Sequence, residues 1–200
     1  MTWSGAAVGV VGQIAELMPP PVSAVVAPPW DEALPEVGFA FPADFRDFAD
    51  LYGGGSINDG IIIEVPTLGP NGSGKRTGFG GFVDQSAAVV RSEIGEMWQN
   101  AIALNGDQTL PSPVLPEPSG LMMWGYNQFG ETCFWDTRDA DPDRWTVVAF
   151  FSSSRRWERF DGGMADFVLA TLQGNVPFAE DMFRVSAGQP EWERFYDWAG

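Results

Sequence analysis

The sequence predicts an α+β domain in which an antiparallel meander sheet packs against helices on one side. Three observations predict it. Apolar residues recur at helical spacing over 42–52 and 162–173, one stretch on each side of the middle of the chain. Between them, residues 121–160 hold four short apolar or aromatic runs separated by turn residues. The chain has 200 residues, 44% hydrophobic and 19% charged, which is enough for one domain with a sizeable core.

Residues 1–28 read as an N-terminal arm or capping helix. Trp3 to Met18 can form one helix, which Pro19, Pro20 and Pro21 stop. The main domain spans 29–174. Its first helix opens at Pro42, where proline suits a first turn. Phe45, Phe48, Ala49 and Tyr52 then make one apolar face, and Gly53, Gly54 and Gly55 end the helix. The β-branched run Ile61, Ile62, Ile63 and Val65 predicts a strand, and the Gly-rich 66–82 a loop. A helix is expected over 84–104, capped by Asp84 and closed by Asn105-Gly106, before a proline-rich linker at 111–120.

The meander strands are Leu121–Gly125, Thr132–Trp135, Trp145–Phe151 and Trp157–Phe160. Their separators are Asn127 to Gly130, Asp139 to Asp143 and Ser152 to Ser154. A closing helix follows at 162–173, with Asp161 as its cap, Met164, Phe167, Val168 and Leu172 on its apolar face, and Gly174 as its stop. Residues 175–200 read as an aromatic, acidic C-terminal tail.

Charge and composition exclude several chemistries. There are 27 acidic and 11 basic side chains, a formal net charge of −16, with no histidine and one cysteine, Cys133. Without histidine there is no Ser–His or Cys–His couple and no imidazole metal site. One cysteine permits neither an internal disulfide nor a Cys-rich zinc site. A chain this negative does not bind a phosphate backbone unselectively, and its field favours a basic protein partner. No apolar run approaches the about 20 residues of a membrane span, and the first basic residue is Arg46, so a secretory leader is not expected. The expected compartment is the cytoplasm, where a free thiol is ordinary.

Two motifs resemble ligand sites. Gly69 to Lys75 fits a phosphate-loop spacing, but Arg76 stands where the Mg²⁺-binding hydroxyl belongs and the following glycines open a helix poorly. Asp139, Asp141 and Asp143 have the spacing that starts a calcium loop, but Arg144 and Phe150 occupy the positions of its glycine and its bidentate glutamate. Both read better as loops. Cys133 reads as a core residue. The tryptophans Trp98, Trp124, Trp135, Trp145 and Trp157 read as core or groove wall. No pair among the carboxylates is singled out for glycoside hydrolysis.

Several segments together resemble a known family. Trp30-Asp-Glu-Ala-Leu34, then Pro42-Ala-Asp-Phe45-Arg-Asp-Phe48, then Leu51-Tyr52-Gly53-Gly54-Gly55, are similar to the opening of the SUKH (Smi–Knr) superfamily, with Phe41 where that family prefers Leu. Leu121–Gly125 with Gly130–Trp135, Asp141–Val148, and Trp157–Gly163 through Leu172 resemble its core strands and closing helix, in order across 30–174. The resemblance implies a SUKH-like α+β fold without catalytic residues, and no cofactor or metal is expected. It also implies an immunity protein of a polymorphic toxin system, which neutralises a cognate nuclease or deaminase by occlusion. The alternatives are a SUKH-type scaffold for an endogenous partner and, further off, a carboxylate hydrolase or NTPase.

The residues expected to meet a basic toxin are Asp59, Glu64, Asp136, Asp139, Asp141 and Asp143, because they lie on or beside loops and strand ends. Nucleic acid and membrane are not expected partners.

Overall fold

The computed structural model describes residues 9–68, 78–89, 91, 120–184 and 189–200. The strands are β1 (Gly54–Ile57), β2 (Ile61–Ile63), β3 (Leu121–Tyr126), β4 (Thr132–Asp136), β5 (Thr146–Phe151), β6 (Arg156–Phe160) and β7 (Trp192–Tyr196). The helices are α1 (Val10–Leu17), α2 (Ala33–Val37), α3 (Ala43–Tyr52), α4 (Gly78–Val89), α5 (Met164–Leu172) and α6 (Glu180–Phe183). Short 3-10 turns add Trp30–Glu32, Pro142–Arg144 and Pro177–Ala179.

All seven strands join one antiparallel sheet in the order β6-β5-β4-β3-β2-β1-β7. The fold is therefore α+β with an open antiparallel sheet, and the predicted meander is present as β3 to β6.

Strand alternation puts Ile61 and Ile63, Met122 and Trp124, Cys133 and Trp135, and Val147 and Ala149 on one face. That face packs on Phe45, Phe48 and Tyr52 of α3, on Met164, Phe167 and Val168 of α5, and on Val11 and Ile14 of α1. The opposite face is apolar too. Met123, Phe134, Val148 and Phe150 are buried there, and Trp157 lies 4.5 Å from Phe150, ring to ring. Where β2 stops pairing, α4 takes over: Ser86 Oγ accepts the Met123 N–H at 2.8 Å, so this edge donor does not stay orphaned.

Several elements differ from the sequence reading. Gly54 and Gly55 do more than end α3, since they begin β1. Only glycines let β7 lie so close there, for a Cβ on Gly55 would run into the Glu193 carbonyl. Residues 175–200 supply α6 and the edge strand β7, because Trp192 packs edge-on against Phe48 and Tyr52 at 5.4 Å. The helix α1 starts after Gly9, its N-cap residue, and docks on the core, where the Met18 carbonyl accepts the Tyr52 O–H at 2.6 Å; residues 3–8 of the predicted helix lie outside the described residues.

Asp84 caps no helix. It sits exposed inside α4, which starts at Gly78, and Glu36 Oε1 accepts the Gly80 N–H at 2.6 Å instead. Asp161 does not cap α5 either; Gly163 is the N-cap residue, and Asp44 supplies the acceptor. The Gly69–Arg76 motif, residues 90 and 92–104 of the predicted 84–104 helix with Trp98 among them, its Asn105-Gly106 stop and residues 111–119 of the predicted linker lie outside the described residues.

Candidate functional site

The connection between β4 and β5 is built from carboxylates spaced two residues apart. An Asx side chain accepts the N–H two residues on and so closes a turn. Asp139 Oδ1 accepts from Asp141 at 3.0 Å, and Asp141 Oδ1 accepts from Asp143 at 3.1 Å, which caps the Pro142–Arg144 turn. Asp143 Oδ1 in turn accepts the Ala43 N–H at 2.7 Å and anchors the loop to the first turn of α3. Arg144 pairs with Asp139 at 3.3 Å, and the Trp145 indole donates to the Asp139 carbonyl at 2.8 Å. The calcium-like spacing is thus a ladder of turns. Among the described residues no group of three or more His, Cys, Asp or Glu side chains is arranged to hold a metal ion.

Asp136 is buried at the end of β4. Arg138 grips both its oxygens through Nε and Nη2, and Arg159 Nη1 donates to Oδ2 at 2.9 Å. Burial pushes this carboxyl up, but the two guanidinium groups outweigh it and hold it below its ordinary value. Glu64, just past β2 at the same end of the sheet, accepts the Tyr196 O–H. Burial first, then the Glu64 charge, pushes the Tyr196 hydroxyl well up.

Asp59 stands at the other end of the sheet. Asn58 and Asp59 both have positive φ, 53° and 52°, and Gly60 N–H closes the turn onto the Ile57 carbonyl at 2.8 Å. Asp59 is exposed.

The structure therefore gathers Asp139, Asp141 and Asp143 in one loop, with Asp136 and Glu64 at that same end of the sheet and Asp59 far from them. Asp136 and Glu64 are occupied within the fold. Asp141 and Asp143 keep exposed side chains while serving the turn.

A second group of acids lies along α3. Its inward face is Phe45, Phe48, Ala49 and Tyr52, so Asp47 and Asp50 point outward. The Trp30 indole donates to Asp50 Oδ1 at 2.7 Å and brings the exposed Asp31 and Glu32 beside the last turn of α3. Burial against the Trp30 segment raises the Asp50 carboxyl, the Trp30 bond lowers it, and the Asp47 charge raises it further. Helical spacing carried the signal for these residues, since i, i+3 acids opposite an apolar stripe share the solvent side. Arg46 is the one base between positions 31 and 64, and it is half-buried.

Five arginines elsewhere are held in local ion pairs: Arg138, Arg144, Arg156, Arg159 and Arg194 each pair with Asp or Glu. Exposed acids thus run from Asp141 and Asp143 at the start of α3, past Asp47, to Asp50, Asp31 and Glu32 at its end. The helix between them is about 15 Å long, at about 1.5 Å per residue.

No helix among the described residues is long and apolar enough to cross a membrane. No family model, curated protein or solved structure matches the chain.

Proposed function

We propose that this chain works in the cytoplasm as a non-catalytic binding protein, an immunity protein of the SUKH type, which occludes the positive face of a cognate toxin that acts on nucleic acid. The observation that carries the reading is the acidic run along α3. Asp31, Glu32, Asp47, Asp50, Asp141 and Asp143 are exposed around one helix, whose one base is a half-buried Arg46, while the neighbouring Arg144 is paired with Asp139. A toxin that handles a polyanion must present a basic cleft. An acidic surface on a rigid helix fits such a cleft and steers it in. Asp59 forms a separate acidic point on the same partner-facing hypothesis, at the β1–β2 turn.

The test is capture followed by kinetics. The tagged chain, purified from its native host at low ionic strength, should retain a protein with a strongly basic domain and abolish that protein's action on nucleic acid. The triple variant D31K/D47K/D50K should then slow association by about tenfold or more with little change in dissociation, and added salt should erase the difference. A retained partner that is acidic, or one whose activity the chain leaves intact, overturns the reading. An unchanged association rate in the triple variant overturns the α3 surface.

A further inference from the structure

Six large apolar side chains are exposed among the described residues: Val22, Val26, Leu34, Leu68, Phe129 and Phe195. A single exposed apolar residue is ordinary, whereas several held together mark a contact surface. Four of the six are gathered around the C-terminal end of β7. The backbone of Trp198, just past that strand, holds two of them. Its N–H donates to the Val26 carbonyl at 3.1 Å, and its carbonyl accepts the Leu68 N–H at 2.8 Å. Phe195 stands three positions earlier, in β7 itself. Val22 precedes Ser23 and Ala24, whose carbonyls accept from Arg194 Nη1 at 3.3 and 3.0 Å.

These positions are pinned. Val26 N–H donates to Asp197 Oδ2 at 3.1 Å, and Thr67 Oγ1 donates to the Asp197 carbonyl at 2.8 Å. The half-buried Trp198 ring lies 5.1 Å from Phe79 of α4. Side chains on a backbone already fixed lose little further freedom when a partner covers them. Val26, Leu68 and Phe195 still leave 49, 43 and 50% of their surface in water, so covering them removes apolar area from solvent.

The surroundings name the occupant. Phe79 also lies 5.7 Å from Trp30, which binds Asp50 and carries the exposed Asp31 and Glu32. The apolar group thus borders the acidic end of α3, two ring contacts away. Glu193 on β7 is exposed as well, while Arg194 is tied to Asp197 and to the 23–24 segment. A second copy of the chain would bring acidic rim against acidic rim at a net charge of −16 each. A basic protein meets attraction at the rim and apolar burial within it, the usual anatomy of an interface.

We infer that Val26, Leu68 and Phe195, with Val22 at their margin, are the apolar anchor of the partner interface and seat against an apolar patch beside the partner's basic cleft. The inference rests on the proposed function and adds to it the part of the surface that holds the complex once formed. Charges at a rim act chiefly on association, and a covered apolar centre acts on dissociation. The α3 acids and the anchor therefore separate by rate constant.

The probe is the basic protein that the wild-type chain retains in the capture described above, purified and followed on a biosensor at about 0.15 M and about 0.5 M salt. Val26→Gln, Leu68→Gln and Phe195→Gln alter no charge and replace side chains that already meet water. Circular dichroism and thermal melting establish that each variant is folded. Each should speed dissociation about three- to tenfold, and V26Q/L68Q/F195Q about 100-fold or more, with association unchanged within about twofold. The dissociation effect should persist at the higher salt, where the D31K/D47K/D50K effect on association fades. Phe129→Gln, at the opposite end of the sheet, should dissociate as wild type does. The single variants keep the test decisive if the triple variant folds poorly. Wild-type dissociation in all the anchor variants, or equal acceleration in Phe129→Gln, overturns the anchor and leaves the α3 reading standing. If wild type retains no basic protein, the functional reading falls and the anchor falls with it.

Discussion

Asp44 ties the first turns of two helices that are 121 positions apart. Its Oδ2 accepts the Ala165 N–H in α5 at 2.8 Å, while Oδ1 accepts the Phe45 N–H in α3 at 2.7 Å. Helix N-termini carry orphan donors and partial positive charge, so one carboxylate serves both. Gly163 makes the approach possible, because a Cβ there would collide with the Asp44 carboxylate. Burial pushes the Asp44 carboxyl up, the two N–H groups pull it back, and the charges of Asp166 and Asp143 raise it again.

Replacing Asp44 by Ala should cost about 1–2 kcal/mol, the usual loss for a missing cap, or about 2–8 °C in Tm for a chain of this size. Asp44→Asn keeps an acceptor and should cost less. The pH dependence has a definite sign. The folded state binds the Asp44 proton more tightly than the unfolded chain, so rising pH works against folding from 3.8, the ordinary value, up through the raised folded value. The stability of wild type relative to Asp44→Asn should therefore fall across that window and level off above it. Urea unfolding at stepped pH measures both effects, and a flat difference would refute the burial of this charge.

Asp136 should behave in the opposite way. Its folded carboxyl lies below the ordinary 3.8. The stability it contributes is present above that value and is lost as pH falls through the folded one. Asp136→Asn should cost about 1–3 kcal/mol at neutral pH, since Arg138 and Arg159 then face an uncharged group. The penalty should shrink in acid. Equal penalties at pH 7 and in strong acid would count against the ion-pair reading.

Cys133 is fully buried on β4, its Sγ 3.3 Å from Met182 Sδ. Burial, then the Glu131 charge, pushes its thiol well up. Only the thiolate attacks a disulfide reagent. The native chain should thus leave an aromatic disulfide reagent unreacted at pH 8 over hours, and one thiol per chain should titrate at once in denaturant. Rapid native labelling would mean that β4 opens far more often than its packing implies.

What was legible in the sequence was whatever depended on neighbours along the chain. The apolar stripe of α3 and the runs of β3 to β6 follow from side-chain period, and Asn127 to Gly130 and Ser152 to Ser154 mark their turns. What escaped depended on distant partners. Asp161 is a good cap by sequence, yet Asp44 reaches α5 first. The spacing of Asp139, Asp141 and Asp143 suits both a metal loop and successive Asx turns; Arg144 and Phe150 argue against the metal loop in the sequence, but the Ala43 N–H that Asp143 holds lies 100 positions away and is not readable there. Glu64 offers no hint that Tyr196 will meet it. The outward acids of α3 were readable from the helical period, but loop position was the weaker guide and drew attention to carboxylates that the fold itself employs.

The three glycines after α3 give the sharpest test of how β7 closes the sheet. A Cβ on Gly55 would run into the Glu193 carbonyl and lie 2.8 Å from the Trp192 ring carbon Cζ2, so the backbone of β7 itself stands in the way. The atoms nearest a Cβ on Gly54 belong to the Tyr196 side chain, with its Cζ at 2.6 Å. A ring can swing aside, at the cost of its bond to Glu64, whereas a paired strand cannot move without breaking its ladder. Gly55→Ala should therefore cost about 3 kcal/mol, the upper part of the range for overpacking a close contact. Gly54→Ala should cost about 1–2 kcal/mol, near the worth of one hydrogen bond to a charged group. Hydrogen exchange should show the loss in Gly55→Ala concentrated in residues 192–196 and in β1, with β3 to β5 still protected. If both variants lose protection evenly across the sheet, β7 is cooperative with the core and is not a separately docked edge.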